Sequence, residues 1–209
     1  MSLLEVHEVT KRFGGLQALN HVTCTIEEGQ ISGLIGPNGA GKTTLFHLIA
    51  GEIPPDTGRI FFQGEPIHHL SSDAICRRGI ARTFQMVRPF LRLTTLNNVI
   101  VAACYGRGQP HSRRQAESIA RRWLEFMGLG EKAEVPAMSL TLAERKRLEI
   151  ARALATEPRL LLLDEVIAGS PPPRRPTPTG CAPCSPTRYR PWGPRSPRSS
   201  CGRTWASGV

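Results

Sequence analysis

The chain has 209 residues, which is the length of about one domain and enough to bury a sizeable apolar core. Its longest apolar runs, at residues 99–103 and 160–163, are far shorter than the ~18 residues that a membrane-spanning helix requires. Glu5 and Glu8 interrupt the N-terminal region where a secretory signal needs an apolar stretch. These features exclude a membrane-spanning segment and predict a cytoplasmic protein.

The net charge of +10 is concentrated at the C-terminal end. Residues 170–209 hold seven arginines and no acid, and the other 20 basic and 17 acidic residues leave residues 1–169 at +3. Ten of the 18 prolines lie in the same 40 residues, without apolar periodicity. This composition predicts a disordered or extended tail. Its charge is either solvated or available to nucleic acid or anionic lipid, and no specific nucleic-acid partner is predicted.

The first 50 residues alternate strand-like runs with glycine turns. The runs cover residues 4–9, 22–26 and 31–35, and the third ends directly in a glycine-rich loop. Helical spacing of apolar residues follows over residues 44–50, with Gly51 placed to end the helix. Strand, glycine loop and helix is the order that a phosphate-binding site requires.

The middle of the chain changes from strand to helix. A hairpin-like stretch at residues 59–63, a short helix at 72–78 and a strand at 80–84 are followed by helical patterns at 96–103 and 112–127. In the last of these, Ser112 and Gln115 form a predicted capping box. The predicted apolar face consists of Ala116, Ile119, Ala120, Trp123 and Met127. We interpret residues 88–140 as a helical subdomain.

A further helix is predicted to begin at Thr141, with Glu144 completing a second capping box. Its apolar positions are Leu148, Ala151 and Leu154, and Pro158 ends the pattern. Residues 160–163 are then uniformly apolar, which is typical of a parallel strand buried on both faces.

Residues 36–43, GPNGAGKT, match the phosphate-binding pattern G-x-x-x-x-G-K-S/T between a predicted strand and a predicted helix. Backbone N–H groups of such a loop converge on phosphate oxygens, Lys42 supplies charge to the β and γ phosphates, and Thr43 can bind magnesium. The alternative is a glycine-rich turn that binds nothing. The predicted nucleotide-binding residues of the loop are Gly36, Pro37, Asn38, Gly39, Ala40, Gly41, Lys42, Thr43 and Thr44.

Two adjacent carboxylates, Asp164 and Glu165, end the apolar strand, where they are costly unless a cation or water receives them. We predict Asp164 as a magnesium ligand and Glu165 as the residue that polarises the attacking water. An acidic pair in this position can also be a helix cap, but the upstream glycine loop favours the functional interpretation.

Together these motifs resemble the ABC transporter ATP-binding family over residues 1–169. Phe13 stands where that family stacks an aromatic ring on adenine, and Gln85 in ARTFQ stands at its Q-loop, which reaches magnesium and the transmembrane partner. A packed core phenylalanine and a solvated glutamine are the alternatives. The stretches RTFQMVRPF, LTTLNNVIVAA and RKRLEIARALA resemble the ATPases of branched-chain amino acid importers in particular.

The family's signature loop, usually LSGGQ, is here LTLAE at residues 140–144. The resemblance implies that Thr141, Ala143 and Glu144 contact the γ phosphate held by the opposite subunit. Leu142 and Ala143 restrict backbone approach where glycine would not. A capped helix start at Thr141 is compatible with that contact, because such an N-terminus faces negative charge well.

The resemblance implies an α/β fold: a P-loop (RecA-like) parallel sheet core with an antiparallel β edge and an α-helical subdomain. It implies an ATPase that binds ATP and Mg²⁺, with the metal held by Thr43, Gln85 and Asp164, and with Gln85 and Glu165 in catalytic positions. The implied partners are a second ATP-binding subunit, transmembrane permease subunits and, indirectly, a periplasmic solute-binding protein. The implied location is the inner face of the bacterial plasma membrane.

One part of the family's pattern is missing from the sequence. The family places a switch histidine and a further strand beyond the two acidic residues, and no histidine follows His111 here. We therefore expect a chain that is truncated or frame-shifted after Gly169, with an incomplete core between residues 31–35 and 160–163. A nucleotide-binding fragment without useful turnover is the alternative function.

Overall fold

The computed structural model describes residues 2–84, 87–107 and 112–164. The predicted tail at residues 170–209 lies outside this part of the chain. The strands are β1 (Ser2–Phe13), β2 (Leu16–Glu27), β3 (Thr57–Phe62), β4 (Glu65–Pro66), β5 (Ile80–Arg82) and β6 (Leu160–Leu162). The helices are α1 (Lys42–Ile49), α2 (Ser72–Arg78), α3 (Thr95–Cys104), α4 (Arg113–Phe126) and α5 (Leu142–Ala155).

Four strands form an antiparallel sheet in the order β2-β1-β3-β4. The long hairpin of β1 and β2 turns at Gly14 and Gly15, as the sequence predicts. Leu4 pairs with Phe62 and Val6 pairs with Ile60 across β1 and β3, and all four side chains are fully buried. This face of the sheet packs against the apolar side of α1, so the sheet fixes the position of the helix that follows the glycine loop.

The remaining two strands, β5 and β6, form a parallel pair. Ile80 lies opposite Leu160 and Arg82 opposite Leu162, which places the ends of both strands side by side. Leu160 and Leu162 are buried as predicted, but the strand ends one residue early and Leu163 is 45% exposed. The pairing brings Thr83 next to Asp164, whose backbone N–H donates to the Thr83 hydroxyl at 3.3 Å.

The predicted strand at residues 31–35 is wrong for this structure. Residues 31–35 form no strand, and Ile31 and Ile35 are almost fully exposed, at 101% and 94%. A parallel strand in a sheet centre needs hydrogen-bonded neighbours for its N–H and C=O groups, and no described strand lies beside this segment. Among the described residues β6 also pairs with β5 alone.

The helices α3, α4 and α5 share a second apolar core, centred on Val99, Leu124 and Leu148. The capping box of Ser112 and Gln115 at the start of α4 is confirmed. The buried stripe of α4 runs through Ala116, Ala120 and Leu124, so Ile119 and Trp123, predicted on that face, are only partly buried. Leu154 of α5 is likewise half-buried rather than buried. Among the described helices, none is both long and apolar enough to cross a membrane.

Candidate functional site

The glycine loop leads directly into α1, which begins at Lys42 with Gly41 as its N-cap. No side chain caps this helix start, and its first turn contains no acidic residue. The first N–H groups of a helix have no partner within the helix, and the helix dipole places partial positive charge there. The start of α1 is therefore suited to binding an anion such as a phosphate group.

Gly41 is required by its surroundings as well as by its backbone conformation. Its φ is +79°, and a Cβ atom added to it would lie 2.4 Å from the carbonyl oxygen of Ala18 and 2.7 Å from Leu19 Cδ2. Gly39 has a similar φ of +84°, but an added Cβ would meet nothing within 4 Å. The loop is thus packed tightly onto β2 at Gly41 and is open to solvent at Gly39.

The Lys42 ammonium group lies inside the curve of the loop. Its Nζ donates to the carbonyl oxygens of Gly36 and Pro37, both at 2.7 Å. A further bond from the Ala40 N–H to the Pro37 carbonyl, at 3.2 Å, closes the loop on itself. The loop therefore holds a positive charge at its centre before any ligand binds.

Phe13 and the glycine loop line one cleft of about 580 Å³. The Phe13 side chain is 48% exposed, so the alternative of a packed core phenylalanine does not fit the structure. Lys11 lies over this ring, with its Nζ 5.7 Å from the centroid. Among the described residues its lining consists of Phe13, Leu16, Gln17, Ala18, Asn38, Gly39, Gly41, Lys42, Thr43 and Thr44.

Three of these lining residues, Leu16, Gln17 and Ala18, were missed by the sequence analysis. The signal that could have found them is the glycine turn after Phe13. A tight hairpin at that turn requires the next strand to return past Phe13, which brings the residues after the turn to the same end of the sheet.

Asp164 lies at the end of β6 and is only 7% exposed. Its Oδ2 accepts a hydrogen bond from Arg82 Nη2 at 3.2 Å. Arg82 is absent from the predicted site, although its position opposite Leu162 in the parallel pair places it beside the acidic end of β6. Glu165, the predicted catalytic carboxylate, lies outside the described residues.

Gln85 also lies outside the described residues, but the residues flanking it are held by α5. The buried Glu149 side chain accepts a hydrogen bond from the Phe84 backbone N–H. Arg152 Nη1 donates to the Arg88 carbonyl at 2.9 Å. Burial raises the pKa of Glu149, because desolvation disfavours its charged form more than the Phe84 N–H favours it. The helix that follows the LTLAE loop is thus tied to both sides of Gln85.

The predicted capping box at the start of α5 is confirmed. The Thr141 hydroxyl accepts from the Glu144 N–H at 3.3 Å, and Glu144 Oε2 accepts from the Thr141 N–H at 2.9 Å. Lys132 Nζ, 2.5 Å from Glu144 Oε1, and the Thr141 N–H hold the pKa of Glu144 at about 2. Thr141, Ala143 and Glu144 do not line the Phe13 cleft of the same chain, so their contact with a nucleotide stays a prediction.

The predicted magnesium ligands offer a hydroxyl from Thr43, in the cleft, and a carboxylate from Asp164. Oxygen donors of this kind, few in number and supplemented by water and phosphate, suit Mg²⁺. In the described part of the chain no three His, Cys, Asp or Glu side chains gather into an all-protein metal site. Thr43 lines the cleft, whereas Asp164 is not among its described lining residues, so a magnesium site shared by the two stays a proposal.

The chain matches the ABC transporter family over residues 19–168. Among its relatives is the high-affinity branched-chain amino acid transport ATP-binding protein BraF of Pseudomonas aeruginosa, 42% identical over 179 residues. That match covers 80% of this chain and 70% of the relative. The corresponding LivG protein of Escherichia coli K12 is 39% identical over the same shares of both chains.

Solved structures agree with these relationships. The ADP conformation of MJ1267, an ATP-binding cassette of an ABC transporter, is 31% identical and superposes with a TM-score of 0.71, covering 82% of this chain and 71% of that one. The ATP-binding cassette MJ0796 bound to ADP and phosphate is 27% identical with a TM-score of 0.70, covering 78% and 74%. The predicted α/β fold is confirmed, and the chain belongs to the ABC transporter family as one of its ATP-binding, ATPase subunits.

Proposed function

We propose that this chain binds ATP with Mg²⁺ in the Phe13 cleft and hydrolyses it to drive an importer for branched-chain or related amino acids. The observation that carries the proposal is the uncapped start of α1 with Lys42 held at the centre of the glycine loop. The names of the relatives BraF and LivG support the class of transported solute.

In this proposal the nucleotide lies along the cleft, with its base on the exposed ring of Phe13 and its phosphates at the start of α1. In the structure the Gly36 and Pro37 carbonyls accept hydrogen bonds from Lys42 Nζ. When the nucleotide binds, phosphate oxygens replace these two carbonyls as the partners of Lys42. The backbone N–H groups of residues 41–44 then meet phosphate oxygens, which satisfies the free donors at the start of α1. Nucleotide binding therefore depends on the conformation of the glycine loop, and the bound phosphates stabilise that conformation.

Thr43 and Asp164, with Gln85, are the residues that we propose to hold magnesium. Bound magnesium neutralises charge on the β and γ phosphates. Glu165 orients and polarises the water that attacks the γ phosphate in line, and Lys42 stabilises the charge on that phosphate. Because Asp164 is already buried at the end of β6, little side-chain freedom is lost when it takes up this role.

We propose that two such subunits act together, with Thr141, Ala143 and Glu144 of one facing the γ phosphate held by Lys42 of the other. Thr141 and Ala143 are exposed at the start of α5 and lie outside the cleft of their own chain, which leaves them available to a second subunit. The Glu144 side chain is only 12% exposed and is paired with Lys132. The capping box supports the proposal, because it fixes the orientation of the Thr141 N–H and hydroxyl. We propose residues 1–169 as the cassette and 88–140 as its helical subdomain.

Members of this family work with transmembrane permease subunits. We propose that the permease contacts an apolar patch formed by Phe90, Leu91, Leu93 and Met138, which are 37–59% exposed. Backbone bonds from Met138 N to Leu91 O and from Ala137 N to Leu93 O, both 3.0 Å, hold the two halves of the patch together. The chain then lies on the inner face of the plasma membrane, and a periplasmic solute-binding protein acts through the permease.

The proposed binding site is tested by titrating the chain with a fluorescent ATP analogue in the presence of Mg²⁺. Loss of a hydrogen bond to a charged group is worth about 1.5–3 kcal/mol, so Lys42→Ala is expected to weaken binding roughly 10- to 150-fold. Lys11→Ala is the control for loss of a nearby charge: its ammonium lies over the Phe13 ring but is paired with Asp56 Oδ1 at 2.7 Å, so a much smaller loss of affinity is expected. Equal affinities of the two variants contradict the site, and phosphate release by the parent chain measures turnover separately.

A further inference from the structure

The Arg82 guanidinium lies buried between two carboxylates from different parts of the fold. Its side chain is only 6% exposed. Nη1 donates to Glu52 Oε1 at 2.9 Å, just beyond the end of α1, and Nη2 donates to Asp164 Oδ2 at 3.2 Å, at the end of β6. One buried cation thus connects the helix that follows the glycine loop with the proposed metal ligand.

The two halves of this bridge differ in their environment. The Asp164 side chain is 9% exposed and that of Glu52 is 27% exposed. Glu52 is also held by His47, whose Nδ1 lies 2.5 Å from Glu52 Oε2. A buried carboxylate such as Asp164 needs a positive partner, and Arg82 supplies it.

Two features of the Arg82 environment favour release of its contact with Asp164. Its Nε is buried without a hydrogen-bond partner within the described residues, so the guanidinium is not fully satisfied in this position. The exposed ring of Phe84 lies on another side, with its centroid 5.6 Å from Arg82 Cζ. Glu52 and Phe84 can retain the guanidinium after the Asp164 contact breaks.

We propose that Arg82 is a positioning residue that occupies the place of the divalent cation at Asp164 and yields it when Mg²⁺ arrives with the nucleotide. Glu52 sets how readily this exchange occurs, because it shares the Arg82 guanidinium with Asp164 and retains it when the Asp164 contact breaks. The inference rests on the proposed function, since it concerns the metal site of the same nucleotide. It requires that Arg82 and Glu52 act on metal binding in opposite directions.

The test measures the Mg²⁺ concentration that gives half-maximal binding of a fluorescent ATP analogue to the full chain, and the affinity in EDTA. Arg82→Gln removes the competing cation, so the Mg²⁺ requirement is expected to fall roughly tenfold. Glu52→Gln leaves Arg82 with Asp164 alone, so the requirement is expected to rise by a similar factor. Arg82→Lys keeps the positive charge and is expected to stay near the parent, as is Arg78→Gln at an exposed arginine.

A merely structural role of Arg82 gives a different result, because loss of the bridge from either side then weakens the site. Shifts in the same direction, or no shift, overturn the inference. If Arg82→Gln does not fold, Glu52→Gln decides alone: its Mg²⁺ requirement must rise while its affinity in EDTA stays unchanged. A parent chain that binds no nucleotide overturns the proposed function as well, whereas Mg²⁺-dependent binding that neither variant moves overturns only the role of Arg82.

Discussion

Alanine at Gly41 is expected to destabilise the chain more than alanine at Gly39. Both glycines have positive φ, +79° and +84°, so an alanine at either position incurs the left-handed penalty of about 1–2 kcal/mol. Only at Gly41 does the added Cβ collide with its neighbours, the Ala18 carbonyl oxygen at 2.4 Å and Leu19 Cδ2 at 2.7 Å. The two variants therefore share the cost of the left-handed conformation, and only Gly41→Ala adds the cost of the collision.

The collision at Gly41 cannot be relieved by a side-chain rotation alone. The nearest atom is a backbone carbonyl of β2, and the adjacent Leu19 pairs with Lys11 in the hairpin. Overpacking of this kind costs about 1–3 kcal/mol. Gly41→Ala is thus expected to lower the free energy of unfolding by about 2–5 kcal/mol, compared with about 1–2 kcal/mol for Gly39→Ala.

Urea unfolding of the full chain, followed by far-UV circular dichroism, measures both values from the midpoint and slope of the transition. Nucleotide affinity provides a second measure, because relief of the collision shifts the start of α1 away from the phosphates. Equal destabilisation by the two variants would refute the close packing of the glycine loop on β2.

Thr141→Ala removes the acceptor for the Glu144 N–H and is expected to lower the free energy of unfolding by about 0.5–2 kcal/mol. The same urea assay measures this value. Thr141→Ser keeps the acceptor and should lose little stability. The pKa of Glu144 is about 2 in the folded chain, which lies below its value in an unfolded chain. The charged form of Glu144 therefore stabilises the fold at pH values above the unfolded pKa. This stabilisation is lost as the pH falls toward 2. Glu144→Gln should therefore reduce the loss of stability between pH 6 and pH 3, and an unchanged pH profile contradicts the role of Lys132 and the Thr141 N–H.

Local signals in the sequence were sufficient for most elements. The capping boxes at Ser112 and Thr141 give the starts of α4 and α5, because each depends on residues three positions apart. The glycine loop and the helix after it were likewise predicted from their own residues. The buried face of α4 was only partly predicted, since the neighbouring helices α3 and α5 decide which side of its apolar stripe is covered.

Long-range pairing decided what the sequence could not predict. Residues 31–35 have a strand-like composition, but a strand forms only where another strand meets it, and within the described chain none does. The contact between Arg82 and Asp164 joins residues 82 positions apart and depends on the register of β5 and β6. Neither feature has a local pattern in the sequence.

The Phe13 cleft and the position of Asp164 depend on contacts between residues at different separations along the chain, and this has a consequence for folding order. The β1–β2 hairpin and the glycine loop close over short loops, so their contacts form with little loss of chain entropy and become possible early in synthesis. Asp164 reaches its place beside Arg82 only after β6 has paired with β5, and helices α3, α4 and α5 lie between these two strands in the sequence. The cleft that we propose to bind the base and phosphates can thus form on the growing chain before the proposed metal ligand has been synthesised.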